Sequence, residues 1–252
     1  MCCFSGNVIY VRNTRIFARA EDSIRQFIVY QMAFGANEEL AMILPLPVRQ
    51  GSGETAVRFI DLKAYGEFFS ALNSGFPAPQ SYSIGCGASE MRFPPAAALA
   101  VQEVGNYEAS FVPTVADFSR LDERFRLADA VWQSLPAYQN HGFAVFKLKS
   151  GKHEPHPMAF SFPRRQVGSL FFPTVHIHDG KVHAKAGFDH TLYCQPTAQG
   201  KLVLKNWTES HSLARNFVDV TKTNGIVDGS QHCYRLLMQG QLNNTDVYIQ
   251  HA

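Results

Sequence analysis

Gln26-Phe27-Ile28-Val29-Tyr30-Gln31-Met32-Ala33-Phe34 is followed by the turn-forming Gly35-Ala36-Asn37 and then by Leu40-Ala41-Met42-Ile43-Leu44-Pro45-Leu46-Pro47. Two short apolar runs, bounded by turn residues, read as successive strands. Pro45 and Pro47 cannot donate to a ladder, so the second strand must end there or lie at an edge.

Working outward, residues 8–17 are β-rich and 51–53 (Gly-Ser-Gly) form a loop. Asp61 is placed to cap a short helix in which Leu62, Tyr65, Phe69 and Leu72 recur at spacings of three and four. Residues 74–100, rich in Gly, Pro, Ser and Ala, form a linker or long loop. A strand follows over 107–112. Then Phe118, Leu121, Phe125, Ala128, Trp132 and Leu135 predict a helix over 117–134, stopped by Pro136. Strands are expected at 143–148, 158–162, 170–178, 181–186 and 202–207, a short helix at 209–217, and two final strands at 233–238 and 247–250. The expected fold is α+β and strand-rich, with mainly antiparallel sheets and two or three helices. One domain over 1–252 is expected; the alternative is a β-rich module over 1–100 and an α+β module over 101–252.

Charged residues make up 17% of the chain, which carries 20 Phe and 9 Tyr. So little charge and so many aromatics suit a large core or a contact between copies in a homo-oligomer. A net charge of +2 gives no electrostatic footprint for nucleic acid. No apolar run is long enough to span a membrane, and residues 1–8 do not read as a secretory signal. Five cysteines, two of them adjacent, do not suit a disulfide framework. A reducing, cytoplasmic setting is expected.

The chemistry concentrates in Phe171-Phe172-Pro173-Thr174-Val175-His176-Ile177-His178-Asp179-Gly180-Lys181-Val182-His183-Ala184. Asp-Gly between alternating residues predicts a two-residue hairpin turn. In that register His176 faces His183, and Val175, Ile177, Val182 and Ala184 share the opposite, apolar face. His176, His178 and His183 then converge to about 5–7 Å at Cβ, the spacing of a three-histidine site for a first-row transition metal (copper, iron or zinc). A solvated face that happens to carry histidines is the alternative, since Lys181 on the same side repels a cation. His153 and His156 do not form the helical zinc motif, because the spacing differs and Pro155 opposes a helix.

Cys2 and Cys3 are the candidate catalytic residues. If Met1 is removed, the α-amino group of Cys2 can serve as base for its own thiol, as in N-terminal nucleophile hydrolases. A metal-ligating or redox thiol, and a buried inert one, are the other readings.

The opening Cys2-Cys3-Phe4-Ser5, the strand ending Arg15-Ile16-Phe17-Ala18, and the run 41–47 ending Pro45-Leu46-Pro47 resemble a bacterial family of domains of unknown function. That resemblance covers mainly residues 2–48. It implies a β-rich fold and a role for the terminal cysteines, and no reaction.

Three functions are therefore expected in order. The first is a metal-dependent, redox-active enzyme using His176, His178 and His183. The second is an N-terminal cysteine amide hydrolase acting on a small-molecule or peptide substrate. The third is a non-catalytic binding or assembly module.

Overall fold

A computed structural model describes residues 2–77, 102–104, 107–127, 129–177, 181–196 and 201–251. The chain begins with β1 (Cys2–Phe4), β2 (Val8–Ala20), β3 (Arg25–Ala36), β4 (Leu40–Leu46) and β5 (Arg58–Ile60). The helix α1 (Phe68–Ser74) precedes β6 (Gln102–Val104) and β7 (Tyr107–Val112). After α2 (Asp129–Gln133) come β8 (Gly142–Leu148), β9 (Gly151–His153), β10 (Met158–Pro163) and β11 (Ser169–Phe172). The last strands are β12 (His176–Ile177), β13 (Lys185–Gln195), β14 (Thr208–Glu209), β15 (Tyr234–Asn243) and β16 (Val247–Gln250).

One large sheet runs β12-β1-β4-β8-β7-β6, and the other runs β14-β15-β13-β2-β3-β10-β5 with β9 also on β3. β11 and β16 form a separate pair. The described ladders are antiparallel except β1 with β12 and β2 with β13. Each large sheet thus joins strands from the beginning of the chain to strands from its end.

Residue parity explains why the apolar runs are unbroken. Leu40, Met42 and Leu44 of β4 join Ile28, Tyr30 and Met32 of β3 in one cluster shared by the two large sheets. The intervening Ala41 and Ile43 face the opposite way, against Phe118, Trp132 and Leu135. On β3, Phe27 and Val29 pack on Phe68, Phe69 and Leu72 of the α1 region. Strands buried on both faces have no polar alternation to display. Pro45 fits for a local reason. It faces Phe143 of β8 on one flank, while on the other flank β1 reaches only Met42 and Ile43, so no partner lacks its N–H.

The helix expected over 117–134 is instead three short pieces: 3-10 turns at Val115–Arg120 and Glu123–Phe125, then α2. Leu121 is extended, and the Asp122 side chain accepts from the Arg124 N–H, capping a new turn in mid-segment. Such local carboxylate bonds compete with a continuous helix. The Arg126 guanidinium then binds the Leu121 and Ser119 carbonyls that a longer helix would have used. Phe118, Leu121, Trp132 and Leu135 are nevertheless buried, as their spacing implied.

Candidate functional site

β1 lies between β12 and β4, which places the sequence-predicted residues beside one another. Cys2 pairs with His176 and Cys3 with Ile177 in parallel register, while Cys3 and Phe4 pair with Ile43 and Met42 in antiparallel register. Cys3 is fully buried among Ala41, Ile43, Val175 and Ile177, where it fills space as a small apolar side chain does.

Cys2, rather than His183, is therefore the strand partner of His176. Residues 181–184 form no strand, His183 is exposed, and β13 starts only at Lys185. His178, Asp179 and Gly180, with the expected turn, lie outside the described residues. The expected hairpin yields to a longer pairing: β13 lies between β15 and β2 and buries His190, Leu192 and Cys194. That burial outweighs what an exposed two-strand hairpin offers.

The partner that His176 does find is His190. Their Nε2 atoms are 2.8 Å apart and their rings 4.5 Å centre to centre, with Phe188 packed against both. Two imidazoles sharing one such bond must have one ring donating and the other accepting, so at least one of the two is neutral. Asp189 Oδ1 stands 3.6 Å from His190 Nδ1, an ion-pair distance too long for a hydrogen bond. Its Oδ2 accepts from the Asn13 N–H at 2.6 Å. Asn13 sits at φ 55° in an irregular stretch of β2, which turns that N–H out of the ladder.

Burial lowers the pKa of His190, against the pull of Asp189. Burial acts to raise the Asp189 carboxyl, but the His190 ring and the Asn13 N–H outweigh it and hold the carboxyl below its usual range. A second polar tie comes from Asn244. Its Oδ1 accepts from His176 N at 2.7 Å, and its Nδ2 donates to the His176 and His183 carbonyls at 2.9 and 3.0 Å. Asp246 accepts from the backbone N–H groups of Thr174 and Val175 and from the Tyr138 hydroxyl. Neither Asn244 nor Asp246 belongs to a motif or a regular spacing that would mark it in the sequence. For His190 the sequence offers one signal, its place beside Asp189 a short way past the histidine-rich stretch.

The carboxylate–imidazole–imidazole row cross-links β13 to β12. Among the described residues no group of three or more His, Cys, Asp or Glu side chains is arranged to hold a metal ion. The expected copper-, iron- or zinc-binding oxidoreductase is corrected to that extent; His178, one of its three expected ligands beside His176 and His183, lies outside the described residues. His176 is hydrogen-bonded to His190, and His183 is exposed, two residues before β13 begins. No helix among the described residues is long and apolar enough to cross a membrane.

No protein-family model matches the chain, and no curated protein matches its sequence. Its fold does match solved structures. The crystal structure of baculovirus P35 superposes with a TM-score of 0.53 at 12% identity, covering 99% of both chains. A mutated baculovirus P35 after caspase cleavage superposes with a TM-score of 0.51 at 12% identity, covering 95% of this chain and 100% of that one. None of these comparisons supports the bacterial setting expected from the N-terminal resemblance.

Proposed function

We propose that the chain is a non-catalytic binding module whose partner is a peptidase of the caspase class. The observation that carries this reading is the likeness of fold to baculovirus P35 over nearly the full length of both chains. One of the similar structures records that protein after a caspase has cut it. The described site is consistent with such a role: Cys3 is buried, and the histidine row ties strands together.

The test is to incubate purified caspases with increasing amounts of the protein and follow hydrolysis of a fluorogenic peptide. The expected result is loss of peptidase activity at near-stoichiometric ratios, with a complex that co-elutes on gel filtration. Unchanged hydrolysis at large excess, together with no co-elution, refutes the reading.

A further inference from the structure

β4 and β7 both run antiparallel to β8, with Leu46 facing Gly142 and Val112 facing Phe143. The ends of β4 and β7 and the approach to β8 therefore converge at one end of the six-stranded sheet. There, residues 48–52, 113–114 and 139–141 line an open cleft of about 270 Å³. Gly142 holds the strands close at this end. A Cβ there would come within 2.5 Å of the Phe111 ring and 3.0 Å of Val48 Cγ2.

The polar groups of the cleft include a guanidinium, an imidazole and three side-chain amides. His141 is 8% exposed, and its Nδ1 is buried with no hydrogen-bond partner among the described residues. That leaves Nε2 as the ring nitrogen within reach of the cleft. A buried nitrogen without an acceptor is better tolerated as a bare lone pair than as an N–H, so the proton belongs on Nε2. Burial, with Arg165 nearby, brings the pKa of His141 down to about 4, so the ring is neutral at pH 7. The exposed Arg49 guanidinium has no carboxylate partner among the described residues, and the amides of Gln50, Gln139 and Asn140 are exposed around it. Among the described residues no Asp or Glu lines the cleft; Asp117 stands behind Thr114, accepting from its hydroxyl at 2.7 Å.

We propose that this cleft binds a carboxylate, either the acidic side chain of a protein partner or a small organic acid. Arg49 supplies the charge, and His141 Nε2 with the neighbouring amides supplies hydrogen bonds. The planar guanidinium fork presents parallel N–H donors that match the two oxygens of a carboxylate. The proposal does not rest on the peptidase reading, because binding is measured on the protein alone.

The experiment titrates succinate, N-acetyl-aspartate amide and inorganic phosphate into labelled protein and follows the His141 ring resonances. Saturable shifts with a carboxylate and a raised His141 pKa are expected. Binding of the aspartyl amide alone identifies a side chain as the natural ligand, and binding of succinate alone a free acid. Arg49→Gln should weaken binding at least tenfold without altering thermal unfolding. Phosphate binding as well as the carboxylates overturns the ligand assignment. No shift with any probe, or an Arg49→Gln protein that binds like the wild type, overturns the site.

Discussion

His190 is 1% exposed and hydrogen-bonded to His176, and His141 is nearly as deeply buried; burial lowers the pKa of both. In the unfolded chain each imidazole takes up a proton near pH 6.5, which the folded protein resists. Their contribution to stability is thus full above about pH 6.5 and is lost as the pH falls toward the folded values. For His141, titrating at about 4 in the fold, linkage predicts a loss of ~2 kcal/mol between pH 7.5 and pH 5. His190 adds to it in the same direction. Urea midpoints at the two pH values test this, and His141→Gln should flatten the difference. Equal midpoints for the wild type would show that neither ring is buried in the neutral form. His176 stood out in the sequence because it stands in an alternating, histidine-rich stretch. Its partner did not, since a local hairpin and a distant strand offer the same residue equivalent backbone positions. Only burial of β13 between β2 and β15 decides between them.

The segment between β7 and β8 separates burial from secondary structure at the scale of an element. Apolar spacing marked Phe118, Leu121, Trp132 and Leu135 as core, and they are buried. It also implied one long helix, whereas Asp122 and Arg126 divide the segment into short turns. Trp132 packs on Phe118 and Phe143 with ring centroids 5.0 and 4.8 Å away, covering the outer face of the six-stranded sheet. Trp132→Ala should therefore destabilise the protein by about 3–5 kcal/mol, measured by denaturant unfolding. An unchanged midpoint would mean the turn region is not part of the cooperative core. The strands were easier to read. β3, β4, β8 and β10 coincide closely with largely apolar runs, because burial on both faces removes the ambiguity of register. β1, β6, β9, β12 and β14 have two or three residues each, too few for any periodicity, and exist because a neighbouring edge offers them a ladder.

For the molecule as a whole, sheet order mixes the two ends of the chain: β1 and β2 with β12 and β13, β4 with β8, and β3 with β10. Fragments 1–100 and 101–252 expressed separately should each fail to unfold cooperatively, and mixing them should restore a single transition. A cooperative transition in either fragment alone would contradict the shared core. The parallel pairs carry a further consequence, one of timing. During synthesis at ordinary rates of chain growth, roughly 10–35 s separate the emergence of Cys2 from that of His176. Through that interval β1 and β2 wait beside the ribosome with one flank unpaired and apolar side chains uncovered. Productive folding of this chain is thus a race between elongation and self-association. Slow codons between β4 and β12 should lower its soluble yield more than the same codons placed after β13.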